Sequence, residues 1–233
     1  MNLFTSLLLA ILPSWQPDTP TQIQEEMAGP VSEITQNFEP ASPRECAIFS
    51  IAGPELMRYS QVSDFIETEV LELAYVNHGL DYADFSIGKF QMKPSFIEQL
   101  EAHICQNPTL YERYASLTVY DHADLKAVRA ERLQRIKTAS YQEFILSAFH
   151  DYCRLVYCDY LDNATEIEAI SFMGTAYNLG FDKSVKEILN YQSLKRFPYG
   201  PRYEGTQFAF GELSAEIYTQ LIKSLCKSTS STS

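Results

Sequence analysis

Apolar residues recur at three- and four-residue intervals along most of this chain, the period of helices that bury one face. The first predicted helix opens at Pro43-Arg44-Glu45, reaches Ala52 and resumes after Gly53-Pro54. A second spans residues 61 to 77, with Val62, Ile66, Val70 and Leu73 on one stripe and Gly79 as its stop. The helical period then breaks. Phe85-Ser86-Ile87-Gly88-Lys89-Phe90-Gln91-Met92 alternates apolar and polar positions around a glycine, the pattern of extended chain or a turn. Pro94-Ser95 restarts helix to about residue 105, carrying Phe96, Ile97, Leu100 and Ile104. A charged, half-exposed helix follows at 124 to 137, then an amphipathic one at 141 to 157 with Tyr141, Ile145, Ala148, Tyr152 and Leu155 on one face. Segments 165 to 178, 183 to 190 and 214 to 226 complete the set. The expected fold is mainly α, one helical domain with a small β-like patch.

The ends of the chain read differently. Residues 3 to 12 form an apolar run that suits the core of a signal peptide and is too short to span a bilayer, although no basic residue precedes Arg44. The expectation is an exported protein with a signal peptide over residues 1 to 14. Residues 15 to 43 read as a disordered linker, rich in proline and acid and without periodicity. The domain is expected over 44 to 226, and the Ser/Thr-rich 227 to 233 as a disordered tail.

Composition narrows the chemistry. A chain of 233 residues that is 45% hydrophobic can bury a sizeable core in one domain. Its net charge of −12, without a basic cluster, argues against nucleic acid and anionic membrane surfaces as partners. Fifteen tyrosines against a single tryptophan suit rings stacked on sugars and an aromatic core alike. The five cysteines follow no zinc spacing and form no even disulfide set; Cys153 and Cys158 read as small buried apolar residues. His78, His103, His122 and His150 are scattered, and no metal or organic cofactor is expected. Arg129, Arg132 and Arg135 read as a salt-bridged stripe on a solvated face.

Two strings carry specific content: Ser86-Ile87-Gly88-Lys89-Phe90-Gln91 with Pro94 beyond it, and Ala176-Tyr177-Asn178-Leu179-Gly180. Their order and form resemble the core of lysozyme-like muramidases, the soluble lytic transglycosylases and goose-type lysozymes. In that family a glutamate-ended helix precedes a turn of the form S-x-x-G-A-x-G-L-M-Q-x-x-P, and A-Y-N-A-G follows. This chain lacks one of the turn's glycines, has Phe90 where Leu-Met is usual, and has Leu179 in place of a small residue.

The resemblance implies a lysozyme-like helical domain with a glycan cleft and a peptidoglycan-cleaving activity needing no cofactor. One glutamate serves as acid and then as base on the MurNAc-GlcNAc β-1,4 bond. It implies that Ser86, Gly88, Gln91, Tyr177 and Asn178 bind the substrate, with Tyr177 bonding the glutamate or the acetamido group. The family glutamate stands in an I-A-x-x-E-S context, and three residues compete for the role. Glu55 follows Ile51-Ala52-Gly53-Pro54 and shares a helical face with Ile48, Ala52 and Tyr59, which favours burial and a raised pKa. Against it, Pro54 interrupts the helix, and a new N-terminus there would lower that pKa. Glu55 also stands farther from Gln91 than the family interval. Glu67, in Ile66-Glu67-Thr68, is nearer, and Glu72 fits the interval best in the least similar context. The alternative function is a lysozyme-like protein that binds glycan or serves the cell envelope structurally without cleaving.

Overall fold

The computed structural model describes residues 29, 31–35, 38–56, 69–200 and 204–227, and the backbone of 65–68 and 228–230. Helices dominate it, with one two-stranded antiparallel sheet among the described residues. The expected signal peptide, Val62 and Tyr59 lie outside the described residues.

Local chemistry sets most helix ends. Ser42 accepts a hydrogen bond from the Glu45 amide and Pro43 takes the first turn of α1 (Pro43–Ala52), where a missing N–H is harmless. Helix α2 (Phe65–His78) stops at Gly79, whose positive φ of 82° lets its N–H reach back to the Tyr75 carbonyl at 2.7 Å. Helix α3 (Pro94–Gln106) also begins on proline. Short α4 (Pro108–Tyr114), with Asn107 capping Thr109 and Leu110, runs into a 3-10 turn at Ala115–Leu117. Helix α5 (Leu125–Ile136) is capped by Asp124. Helices α6 (Ala139–Val156) and α7 (Cys158–Leu161) precede α8 (Glu166–Leu179) and α9 (Val185–Gln192). The last two each open on a reciprocal capping box, Thr165 with Glu168 and Ser184 with Glu187. Strands β1 (Lys195–Phe197) and β2 (Phe208–Ala209) pair before the long α10 (Phe210–Ser230).

Helix α8 is the central post. Every residue from Ala169 to Ala176 is buried, because α1, α9 and α10 pack around it. Gly174 and Gly211 make the α8–α10 approach close: a Cβ on Gly174 would lie 2.2 Å from Ser214 Oγ, and one on Gly211 2.3 Å from Thr175 Oγ1. Helix α6 packs its buried face, including Ile145, Leu146, Phe149 and Cys153, against α1, α3, α4 and α5.

Several expectations change. On α2, Val70 and Leu73 are 68% and 65% exposed, and the buried residue is Tyr75. The face is chosen by a polar partner: Tyr75 donates to Glu98 at 2.6 Å and accepts from Arg132 at 2.8 Å. Arg132 is therefore no solvated residue. Its guanidinium is buried and holds Glu101 with two bonds, at 2.7 and 3.1 Å, joining α2, α3 and α5. Leu155 is exposed on α6, and Gln142 joins the buried face instead. Within the expected linker, residues 31–35 are helical with Val31 buried, and Phe38 stacks on Phe49 at 3.9 Å. Within the expected tail, α10 continues to Ser230. Cys153 and Cys46 are buried, whereas Cys158 is half-buried and Cys105 and Cys226 are exposed. No helix among the described residues is long and apolar enough to cross a membrane.

A second polar cluster ties α1 to α6. Asp151 accepts from Arg44 at 2.8 Å, Arg113 at 2.6 Å and Tyr114 at 2.7 Å, and contacts His150 Nδ1 at 3.0 Å. Burial of Asp151 opposes ionisation. The hydrogen bonds from His150, Arg44 and Tyr114 outweigh it and hold the carboxyl well below the usual carboxylate range. A depressed folded-state pKa stabilises the fold above the unfolded Asp pKa, near 4; that contribution is lost as pH falls from there towards the folded value. We expect the urea midpoint to drop as pH is lowered below about 4. Asp151→Asn should start from a lower midpoint and show a flatter pH dependence. An equal slope in variant and wild type would assign the acid sensitivity elsewhere.

Candidate active site

A cavity of about 310 Å³ opens where the end of α1, the 84–93 loop, the start of α3 and the end of α8 meet. Glu55, Ser86, Gln91, Tyr177 and Asn178 all line it, with Asp84, Lys93, Ser95 and Gln99. Its floor is aromatic. Phe96 packs edge-on against Tyr177 and Phe181 at 5.1 Å each, and Phe149 lies 5.3 Å from Phe181. Polar walls over an aromatic floor suit a ligand with hydroxyl and amide groups on an apolar ring face.

Glu55 enters from the C-terminal end of α1. Helix resumes at Glu55 and Leu56 after the turn at Gly53-Pro54, as the sequence suggested, so Glu55 stands at the start of a new helical segment. Gly53 keeps right-handed helical angles (φ −51°, ψ −38°), and the Leu56 amide bonds the Gly53 carbonyl at 3.1 Å. Proline is tolerated there because the helix proper has already ended at Ala52. The Glu55 residue is only 4% exposed, although its side chain lines the cavity.

The turn that faces Glu55 is a tight hairpin. Ile87 and Met92 exchange both backbone hydrogen bonds, at 2.9 and 3.0 Å, around the loop from Gly88 to Gln91. Gln91 has a φ of 51°, a left-handed conformation costly for a residue with a side chain, and its Nε2 donates to the Gly88 carbonyl at 3.0 Å. Gly88 itself has φ 69° and faces away from the cavity, where its backbone closely approaches Gln142. Phe90 is wholly buried and fills the space behind the turn.

Tyr177 closes the arrangement from α8. Burial first, and the charge of Glu55 second, push its phenol well above the ordinary tyrosine range, so it stays neutral. Its hydroxyl proton goes to the Phe90 carbonyl at 2.7 Å, so Tyr177 braces the turn. Asn178 is exposed at the rim, and Gly180 (φ 115°) ends the helix there, its N–H on the Ala176 carbonyl at 2.9 Å.

Of the other two candidate glutamates, Glu72 does not line this cavity. Glu72 pairs with Lys137 at 2.8 Å, tying α2 to the end of α5. The Glu67 side chain lies outside the described residues. Two polar cavity residues escaped the sequence reading, as did Phe181 of the aromatic floor. Asp84 accepts from the Ser95 amide at 3.0 Å and hydroxyl at 2.8 Å, capping α3 from a distance. The signal for it was negative: Lys93, at the N-cap position, supplies no side-chain cap. Gln99 lies one turn beyond Ser95 on the same face of α3, a polar interruption among apolar positions. Among the described residues no group of three or more His, Cys, Asp or Glu is placed to hold a metal ion.

No family model, curated protein or solved structure matches this chain.

Proposed function

We propose that the protein is a muramidase of the lytic transglycosylase type, cleaving peptidoglycan glycan strands with Glu55 as the sole acid and base. One observation carries the reading: a sheltered carboxyl group shares a cavity with Gln91 and with the Tyr177-Asn178 pair, from three distant stretches of chain. In its protonated form Glu55 gives its proton to the glycosidic oxygen as the bond to C1 breaks. The acetamido group of the same sugar stabilises the positive charge at C1. The Glu55 carboxylate then takes the proton of the C6 hydroxyl, whose oxygen bonds C1 and closes a 1,6-anhydro ring. Atoms balance without water and without a second carboxylate. Asp84, the other acid in the cavity, is engaged by Ser95, in keeping with a one-carboxylate mechanism. Peptidoglycan lies outside the cell membrane, so this function requires export.

The second reading, glycan binding without cleavage, is favoured by the Tyr177 hydroxyl, whose proton serves the Phe90 carbonyl and not a reacting group. A peptidoglycan zymogram separates the two. Clearing, with 1,6-anhydro ends in the mass spectrum of the products, is expected of a transglycosylase, whereas reducing ends would make the enzyme a hydrolase. Glycan retention in a pull-down without clearing would leave the binding reading in place.

A further inference from the structure

Behind the turn sits a glutamine that the cavity does not touch. Gln142, on α6, is 1% exposed and uses its whole amide on backbone groups. Its Oε1 accepts from the Phe90 N–H at 3.1 Å, and its Nε2 donates to the carbonyls of Ile87 at 3.0 Å and Ile136 at 2.8 Å. Two of the three partners lie in the hairpin that presents Gln91 to the cavity. Gly88 is what admits this amide, since a Cβ there would lie 1.8 Å from Gln142 Nε2. The Phe90 peptide unit and its neighbour are thereby clamped from two sides: Gln142 holds the Phe90 N–H, and Tyr177 holds the Phe90 carbonyl.

We infer that Gln142 is a positioning residue for this site: it fixes the left-handed turn at Gln91 and, through Phe90, the place of Tyr177 beside Glu55. The inference rests on the proposed glycan-cleaving role of the cavity. Its physical basis is that a residue such as Gln91 stays in a costly backbone conformation only when its surroundings over-determine it. A buried amide bonded through its oxygen and both its N–H groups supplies that determination, and removing it orphans the Phe90 N–H and takes from the Ile87 carbonyl one of its two bonds, leaving only that from Met92.

The test uses the full chain with Gln142→Met, which keeps length and apolar bulk but makes no such bonds, and Gln142→Glu. Kinetics on soluble glycan strands are compared at temperatures where circular dichroism shows each variant fully folded. Gln142→Met is expected to lose about 100-fold in kcat, the scale of an ångström-sized misplacement, with KM changed little. A merely structural role would leave the kcat of the folded fraction intact. In Gln142→Glu the neutral acid can accept from Phe90 and donate one proton to Ile87 or Ile136, which the carboxylate cannot do. Its kcat relative to wild type should therefore recover as pH falls. A folded Gln142→Met with kcat within about twofold of wild type overturns the inference. If that variant does not fold, absence of acid recovery in Gln142→Glu overturns it. A wild type that cleaves nothing removes the enzymatic reading instead. Amide hydrogen exchange then decides: faster exchange confined to residues 88–92 in Gln142→Met supports the positioning role, and unchanged exchange there rejects it.

Discussion

Glu55→Gln should abolish clearing of peptidoglycan, lowering turnover by roughly 10²- to 10⁴-fold, while leaving the fold intact. Glutamine matches the shape of a protonated glutamate and has no transferable proton, so the change isolates proton transfer from packing. The side chain is sheltered from water, and a neutral amide there adds no charge to desolvate. Glycan binding in a pull-down should persist, because Gln91, Asn178 and the aromatic floor are untouched. Glu72→Gln should remain active, since its carboxylate serves Lys137 at the far end of α5. Glu67→Gln should also clear. The measurement is a zymogram backed by product mass spectrometry, with circular dichroism to confirm folding. Clearing by Glu55→Gln at the wild-type rate would sink the assignment of the acid. Loss in Glu67→Gln alone would move it to α2.

The second large effect concerns stability. Arg132→Met should lower the unfolding free energy by about 3–5 kcal/mol, the range for removing one partner of a buried ion pair. Burial of Arg132 works against its charge, yet its bonds to Glu101 and the nearby carboxylate raise the guanidinium's affinity for its proton above the usual arginine level. Without it, the buried Glu101 loses both guanidinium bonds, at 3.1 and 2.7 Å, and Glu98 loses one at 3.0 Å. The hydroxyl of Tyr120, which also bonds Glu101, cannot neutralise that charge. The effect should appear as a lower urea midpoint at unchanged slope. Arg132→Met combined with Glu101→Met should recover most of the loss, because removing both partners leaves less charge buried. A single-variant loss below about 1 kcal/mol would place the pair in the class of solvated surface bridges. The network matters to the cavity because α3, which it grips through Glu98 and Glu101, carries Ser95, Phe96 and Gln99 into the cavity wall.

The helices were largely legible in the sequence because their signals are local. Pro43, Pro94, Gly79, Gly180 and the Thr165–Glu168 and Ser184–Glu187 boxes act on neighbours within one turn. Helix α4 was missed because seven residues hold too few apolar repeats for a period to show. The two short motifs were legible as strings, and their order suggested a shared site. Whether they meet is a tertiary matter: Tyr177 reaches the Phe90 carbonyl across 87 residues of chain.

What the sequence determined by itself is the mainly helical character, most helix limits and the turn with its glycine at positive φ, each dictated by interactions between residues close along the chain. The buried faces of α3 and α6 were largely legible in their apolar spacing, but that of α2 was decided only by the assembled fold. The periodicity of α2 offered Val70 and Leu73, but the core took Tyr75, because a phenol could satisfy the buried Arg132 and an aliphatic side chain could not. The same holds for Glu55, Asp84 and Gln142. Burial and hydrogen-bond satisfaction depend on partners tens of residues away, and no local pattern encodes where those partners will be.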